Sequence, residues 1–471
     1  MEPVDPRLRP RNMVNRRQLL ALTGLAALGG SSVLAGCGST NSKRPSSTGS
    51  TRGSASSNRT VQMDSPLVRS EAALAAIDHS AVQAVAPAVA AFTADLFGRI
   101  ATGSTGNLVC SPYSAAVALA MTVQGARGDT AAQMLKVLHG GTGADAAVDL
   151  ATGLGGLDRT LATRAGTRQD GNGHSVQVQL QAANSLWGQR HEAWCEDFLD
   201  VLAADFGAGL HQVDYTSDVE GARKAINAWV SGQTNAKIPE LIAPGVLDQM
   251  TRLVLANALY LKAPWQDPFL TMDTAPAPFT RPDGSKVTVR MMNRPDGVLN
   301  RAQGDGWTAV DLPYAGSELA MAVILPDAGR FARVQTGFTA DFLKTVLTGM
   351  KATPLALGLP RWKTRTQTPL SKVLAQAGMP LAFSNGADFS GMTAQDALKI
   401  GAVLHEGYIA VDEAGTEAAA ATAVVMKVMG IRADPPASLV VDRPFFYVIH
   451  DVATETPLFV GRVVDPTVAA V

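Results

Sequence analysis

Residues that could do chemistry are few and scattered along the chain. It has seven histidines and three cysteines, and no histidine lies at ligand spacing to another histidine or cysteine in a plausible helix. His191 and Glu192 begin a zinc-protease pattern whose second histidine is missing, and the sequence contains neither a Gly-x-Ser-x-Gly elbow nor a phosphate-binding glycine loop. We therefore predict no catalytic residue, no metal and no cofactor, although a triad assembled only in space would escape such a search.

The most informative segment lies near the C-terminus, and we call residues 413–421 the hinge segment. Alanine is the best helix former, whereas the β-branched residues that follow from Thr422 to Val428 favour an extended chain, so local propensity points two ways. No proline interrupts residues 413–434. A central β-strand needs an N–H at every rung and compact side chains against a packed face. The hinge segment contains Glu413, Gly415, Thr416, Glu417, Ala418, Ala419, Ala420 and Ala421, and each of them supplies a backbone N–H.

The elements around the hinge segment predict an α+β fold. Helices are expected mostly early and strands mostly late, without β-α-β alternation, which favours large sheets with helices packed on them. We predict helices over 80–99, 112–124, 219–233 and 366–377, with Ser111 or a neighbour capping the second. We predict strands over 176–186, 251–261, 287–292, 308–312, 319–325, 398–411 and 445–463, the second of them covered on both faces.

Motifs in a fixed order make the chain resemble the serpin family. The hinge segment is similar to the hinge of a serpin reactive-centre loop, and Leu253–Trp265 is similar to the family's central-strand signature. Further matching motifs begin at Asn107, Gly125, Ala183, Ile226, Leu312, Leu359, Asp442 and Phe459. The resemblance covers about residues 75–467. It implies one serpin-like α+β domain with large mixed β-sheets, about nine helices and an exposed reactive-centre loop.

The resemblance implies a suicide-substrate inhibitor of serine proteases. A protease would cut the loop and form an acyl-enzyme, and the severed loop would enter the large sheet as a new strand and trap it. Gly415 frees the backbone where the loop must swing, and Thr416, Ala418 and Ala420 present compact side chains on one face of the strand. We expect the whole hinge segment to stay outside the sheet until the loop is cut.

The resemblance also implies a polar cluster beneath the strands that must part, and a tryptophan near the insertion point. His405 by itself would be interpreted as a hydrogen-bonded core histidine, but its place eight residues before Glu413 favours membership of the cluster. The residues implied are Ser111, Ser114, Asn257, His405 and Trp265.

The scissile bond is predicted by counting along the loop from Glu413, which places it between Met429 and Gly430. A methionine would fit the apolar pocket of chymotrypsin-, elastase- or subtilisin-like proteases. Lys427 or Arg432 would instead fit a trypsin-like pocket, so the identity of the bait residue stays open. Two other functions stay open as well: a non-inhibitory serpin-like binding or scaffold lipoprotein, and an envelope hydrolase.

The N-terminal residues have the features of an export signal. Arg11, Arg16 and Arg17 precede an apolar stretch over 19–34, and the segment that ends at Cys37 resembles a bacterial lipobox. We expect lipidation of Cys37, with an uncleaved membrane anchor as the alternative and the choice between general and twin-arginine export open. Residues 38–74 are predicted to be a disordered tether rich in Ser, Gly and Thr, and 75–471 a single serpin domain.

Composition limits the partners. The net charge is -1 and the folded part has no basic stretch, so we predict no binding to nucleic acid. Cys110 and Cys195 are expected to be separate buried thiols, with a disulfide as the alternative. We expect a monomer outside the cell, secreted or anchored in the envelope, that contacts the membrane only through its lipid and has a serine protease as its partner.

Overall fold

The computed structural model describes residues 60–61, 67–394, 398–417 and 437–468. Its α+β elements follow the predicted order. Within the described residues there are nine α-helices, as expected. They are α1 (His79–Thr102), α2 (Pro112–Val123), α3 (Gly128–Val137), α4 (Ala146–Ala162), α5 (Glu196–Phe206), α6 (Val219–Gln233), α7 (Phe331–Thr336), α8 (Ala340–Thr348) and α9 (Leu370–Ala377).

The strands are β1 (Thr60–Val61), β2 (Leu67–Val68), β3 (Leu108–Cys110), β4 (Gly166–Gln169), β5 (Ser175–Gln189), β6 (Trp194–Cys195), β7 (Leu210–Val213), β8 (Leu253–Pro264), β9 (Ala275–Thr280), β10 (Lys286–Arg294), β11 (Val298–Gly304), β12 (Trp307–Pro313), β13 (Leu319–Pro326), β14 (Lys351–Pro360), β15 (Trp362–Pro369), β16 (Ala402–Val411), β17 (Gly415–Thr416), β18 (Ala437–Val440), β19 (Phe445–Asp451) and β20 (Pro457–Val463).

Most described strands belong to two mixed sheets. The sheet that contains β8, which we call the large sheet, has eight strands in the order β15-β16-β17-β8-β5-β7-β2, with β4 paired to β5. The second sheet has ten, in the order β3-β20-β19-β13-β12-β11-β14-β10-β9, with β18 paired to β14. β1 pairs with β6 alone. Since β8 lies between other strands and is buried along almost its whole length, its doubly apolar sequence is explained as predicted.

Helices cover both faces of the large sheet. On one face, Ile226 and Val230 of α6 pack with Val254 and Ala256 of β8 in a separate apolar cluster. The other face joins the main core, which includes Leu255 and α2. Ser111 caps α2 as predicted, since its hydroxyl accepts a hydrogen bond from the Ser114 N–H. The α1 helix has the length and composition of a membrane span, but one face of it, which includes Phe92 and Phe97, is buried in the core.

One predicted helix is partly wrong. The stretch 366–369 belongs to strand β15, and only Leu370–Ala377 is helical. The β-branched Thr366 and Thr368 suit a strand, and they pair with Gly407 and His405 of β16. Pro369 directly precedes the helix, where a missing N–H is tolerated.

The two cysteines of the folded part are not paired. Cys110 and Cys195 are both free and buried, as predicted from the sequence. Burial raises the pKa of each thiol, which disfavours the reactive thiolate.

Candidate functional site

The candidate site is the junction between β8 and β16, which we call the seam. The two strands pair directly, in parallel, only where Ala402–Glu406 face Val254–Ala258. Towards the C-terminal ends of both strands they separate, and β17 lies between them. The sheet is thus closed at one end of the seam and already parted at the other.

A buried polar chain crosses the closed end of the seam. His405 and Asn257 are opposite each other in the register, and Nδ1 of His405 lies 2.6 Å from Oδ1 of Asn257. The Ser111 N–H donates to Nε2 of His405 over 2.8 Å, so Nδ1 is the nitrogen that donates to Asn257. Burial lowers the pKa of His405 to about 4, and the imidazole is neutral at physiological pH.

The polar chain continues below the sheet to a residue that sequence analysis did not assign. The Ser114 hydroxyl lies 2.6 Å from Oδ1 of Asn184, and Asn184 is opposite Asn257 in the pairing of β5 with β8. The structure therefore brings together the four predicted cluster residues and adds Asn184. The sequence feature that could have identified Asn184 is its place in the motif that begins at Ala183 and resembles the serpin family.

The open end of the seam contradicts one expectation. Gly415 and Thr416 were expected outside the sheet, but they form β17 and pair with Pro264 and Ala263 of β8. The Thr416 side chain is buried, and its hydroxyl lies 2.6 Å from the hydroxyl of Tyr314. The compact side chain predicted at this position is needed because it already packs in the sheet.

Gly415 is required by close approach as well as by conformation. Its φ is +150°, in the region that favours glycine, and a Cβ there would lie 2.2 Å from the Ala263 carbonyl oxygen. Any side chain at this position would push β17 away from β8.

Residues just before β17 fix the start of the hinge. The indole N–H of Trp265 donates to the Asp412 carbonyl over 3.0 Å, and its ring stacks on Tyr314 with centroids 4.7 Å apart. Glu413 accepts a 2.8 Å hydrogen bond from Nε of Arg361 and a 2.5 Å one from the Thr274 hydroxyl. Burial acts to raise the pKa of Glu413, but these two donors outweigh it and keep the pKa below its usual value.

The opposite face of the seam carries charged residues. Glu417 has a φ of +53°, its N–H donates to Ala410 over 2.8 Å, and its buried carboxylate lies 3.3 Å from Nζ of Lys237. Glu406 is also buried and lies 3.3 Å from the Arg365 guanidinium. Burial raises the pKa of Glu406 to about 7, and Arg365 opposes the shift.

The remaining predicted residues lie outside the described part of the chain. They are Ala418, Ala419, Ala420 and Ala421 of the hinge segment, Met429 and Gly430 of the predicted scissile bond, the alternatives Lys427 and Arg432, and Cys37. Across the residues that the structure does describe, no cluster of three His, Cys, Asp or Glu side chains could hold a metal ion.

Comparisons with known sequences identify relatives along most of the chain. The family described as Serpin (serine protease inhibitor) matches residues 87–466. An uncharacterized serpin-like protein of Thermococcus kodakarensis is 35% identical over 383 residues, which cover 81% of this chain and 86% of that protein. The leukocyte elastase inhibitor of Bos taurus is 35% identical over 387 residues, which cover 80% of this chain and 97% of the inhibitor.

Solved structures share the fold. Tengpin, a thermophilic serpin crystallised in its native state, has a TM-score of 0.72 at 26% identity, and the match covers 84% of this chain and 97% of tengpin. Uncleaved ovalbumin has a TM-score of 0.70 at 25% identity, with 81% of this chain and 100% of ovalbumin covered. The predicted α+β fold with large mixed sheets is confirmed.

The seam predicts two opposing pH responses. Between pH 4 and 6.5 the unfolded chain binds a proton at His405 that the folded protein does not, so this residue makes stability rise with pH. Between pH 4.5 and 7 the folded protein keeps a proton on Glu406 that the unfolded chain releases, so Glu406 makes stability fall as pH rises. In the wild type we expect the two effects to offset each other between pH 4.5 and 6.5.

Single substitutions should separate the two responses in thermal melts across pH 4–8. In Glu406→Gln we expect the melting temperature to rise by about 3–4 °C from pH 4 to 6.5, which corresponds to about 3 kcal/mol. In His405→Gln it should fall between pH 4.5 and 7. The exposed Glu71 offers a matched control in Glu71→Gln, which should follow the wild type. Parallel profiles for all four proteins would contradict the assignment.

Proposed function

This chain belongs to the serpin family, and from that premise we propose that it is a suicide-substrate inhibitor of a serine protease. The protease cuts the loop that follows Glu417 and is trapped when the severed end enters the seam. The family is described as serine protease inhibitor and the relative from Bos taurus is named as an elastase inhibitor, so the prediction that the chain is not an enzyme is confirmed.

The observation that carries the proposal is the position of β17. Gly415 and Thr416 lie between β8 and β16, in the gap that an added strand would occupy. Continued in the same antiparallel register, residue 418 would face Leu261 and residue 426 would face Leu253, the first residue of β8. The parallel pairs between β8 and β16 must separate for this to happen. The polar chain at His405 lies at the point of separation.

The energetics favour insertion once the loop is cut. A new central strand would add about ten backbone hydrogen bonds, each contributing roughly 0.5–1.5 kcal/mol, so the gain is of order ten kcal/mol before packing is counted. Because side chains alternate along a strand, Ala418 and Ala420 would follow Thr416 onto the buried face, where larger groups would overpack.

Membership of the serpin family also supports proposals for the target protease and for the location of the protein in the cell. The register carries residue 429 three positions past the start of β8, consistent with a cut after Met429 and a target whose specificity pocket is apolar. Chymotrypsin-, elastase- or subtilisin-like proteases are the proposed targets, acted on by a monomer. We also propose that Cys37 is lipidated and holds the domain at the outer face of the envelope.

Trapping predicts a covalent complex. Incubation with a chymotrypsin-like protease should give an SDS-resistant band, and the cut inhibitor should melt tens of degrees higher because each added rung contributes to stability. In Thr416→Arg an unpaired guanidinium would have to enter the buried site at Tyr314, so we expect complex yield to fall at least about tenfold while cleavage continues. The exposed Thr216 provides the charge control Thr216→Arg. Cleavage of the wild type without a band would contradict inhibition.

The bait residue predicts a change of target. Met429→Arg should shift the ratio of inhibition rates from chymotrypsin-like towards trypsin-like proteases by at least about 100-fold, because the specificity pocket selects this side chain. Lys427→Ala is the control and should leave chymotrypsin-like inhibition unchanged. Mass spectrometry of the released peptide locates the cut. Cleavage after Lys427 or Arg432 by the protease that is trapped would show that Met429 is not the bait.

Lipidation predicts incorporation of fatty acid in a bacterial host. The wild type should be labelled by radioactive palmitate and sediment with membranes, whereas Cys37→Ser should be unlabelled, since a thiol at this position is the acceptor. Cys195→Ser should keep the label, because Cys195 is buried in the folded protein. Labelling that persists in Cys37→Ser would contradict the proposal.

A further inference from the structure

The N-terminal segment joins the domain at the pole opposite the loop. Leu67 and Val68 of β2 pair antiparallel with His211 and Leu210 of β7, so β2 begins at the end of β7 that is nearer Val213. Val213 faces Gln189 at the end of β5, next to Gly188, which faces Leu253 at the start of β8.

The loop leaves from the other end of β8. Gly415 of β17 is paired with Pro264, the last residue of β8, and β8 has 12 residues. At a rise of about 3.3 Å per residue, the two poles are about 36 Å apart along the sheet. The pairing of Thr60 with Cys195 in β6 places β1 at the same pole as the start of β8, because Cys195 follows closely after the end of β5.

Insertion would carry a trapped protease to the pole where the N-terminal segment joins. This step rests on the proposed function. In the register of β17, residue 426 would reach Leu253, and a protease bound to residue 429 would lie just beyond it. The inserted strand and β2 would be separated by β8, β5 and β7, which is about 19 Å across the sheet.

A protease at this pole would extend laterally past the start of β2. A protease of about 230 residues has a radius of gyration of about 17 Å, and so a diameter of about 45 Å. Its radius of about 22 Å exceeds the separation of about 19 Å between the inserted strand and β2. In a protein held at a membrane through Cys37, the membrane would occupy the same space if the connecting chain were short.

We propose that residues 38–59 are a spacer whose length leaves room for the trapped protease between the domain and the membrane. Fully extended, these residues reach at most about 75 Å, which exceeds the diameter of the protease. Apart from Pro45 and Ala55 they include no apolar side chain, so little in their sequence favours collapse onto the domain. Deletion of residues 40–55 would leave a reach of about 20 Å, which is less than the diameter of the protease, about 45 Å.

The test compares anchored and free protein. Chains that begin at Cys37, with or without residues 40–55, are coupled through that thiol to maleimide lipid in phosphatidylcholine vesicles; Cys110 and Cys195 are buried and do not compete. Chymotrypsin is added, and the fraction in the SDS-resistant band is measured. We expect both free proteins and the anchored full-length spacer to trap equally. The anchored deletion should trap at least about tenfold less protease and accumulate as cut inhibitor. A tenfold loss corresponds to a barrier to insertion that is higher by about 1.4 kcal/mol.

A Gly/Ser segment of equal length in place of residues 40–55 separates length from sequence and should restore trapping on the vesicle. Equal trapping by the anchored deletion and the anchored full-length protein would show that the spacer proposal is wrong while the proposed function stands. Absence of the band with free full-length protein would show that the proposed function is wrong, and the spacer proposal would fall with it.

Discussion

The constraint on which the rest of the structure depends is the incomplete pairing of β8 with β16. The strands pair over Ala402–Glu406 and are parted by β17 at the other end of the seam, so among the described residues part of each strand has no paired neighbour across the gap. Parallel pairing is slightly less stable per residue than antiparallel pairing, which an inserted strand would supply next to β8. In the proposed mechanism, this is the sheet that one more strand would make more stable.

Polar groups on both faces of the seam set the barrier to opening it. His405 and Glu406 are successive residues of β16, so their side chains point to opposite faces. Each ring nitrogen of His405 has a partner, and parting the strands would leave a buried neutral imidazole without the Asn257 oxygen. Glu406 faces Arg365 on the other side. Breaking the buried hydrogen bond between His405 and Asn257 is costly, and in the proposed mechanism this cost would resist spontaneous opening.

Much of this site could be predicted from the sequence, for reasons that particular residues make clear. The doubly apolar run from Leu253 required a covered central strand, and His405 was identified by its distance from Glu413. The role of Asn184 was missed because its neighbours Ser114 and Asn257 are distant in the chain. Helix was wrongly predicted over 366–369 because a contact with β16 decides that stretch. The position of Thr416 inside the sheet depends on Tyr314, a contact that no local pattern contains.

In the proposed mechanism, the short strand β17 would explain how a cut is followed by insertion in one register. Gly415 and Thr416 already occupy the rungs that they would keep after insertion, so the register is fixed beforehand, and a slip by one residue would turn Glu417 into the core. The far end of the loop is tied to the second sheet, where β18 pairs with β14. In the proposed mechanism, a cut after Met429 would free the inserting strand from this tie, and the first rung would then be the nucleus for the others.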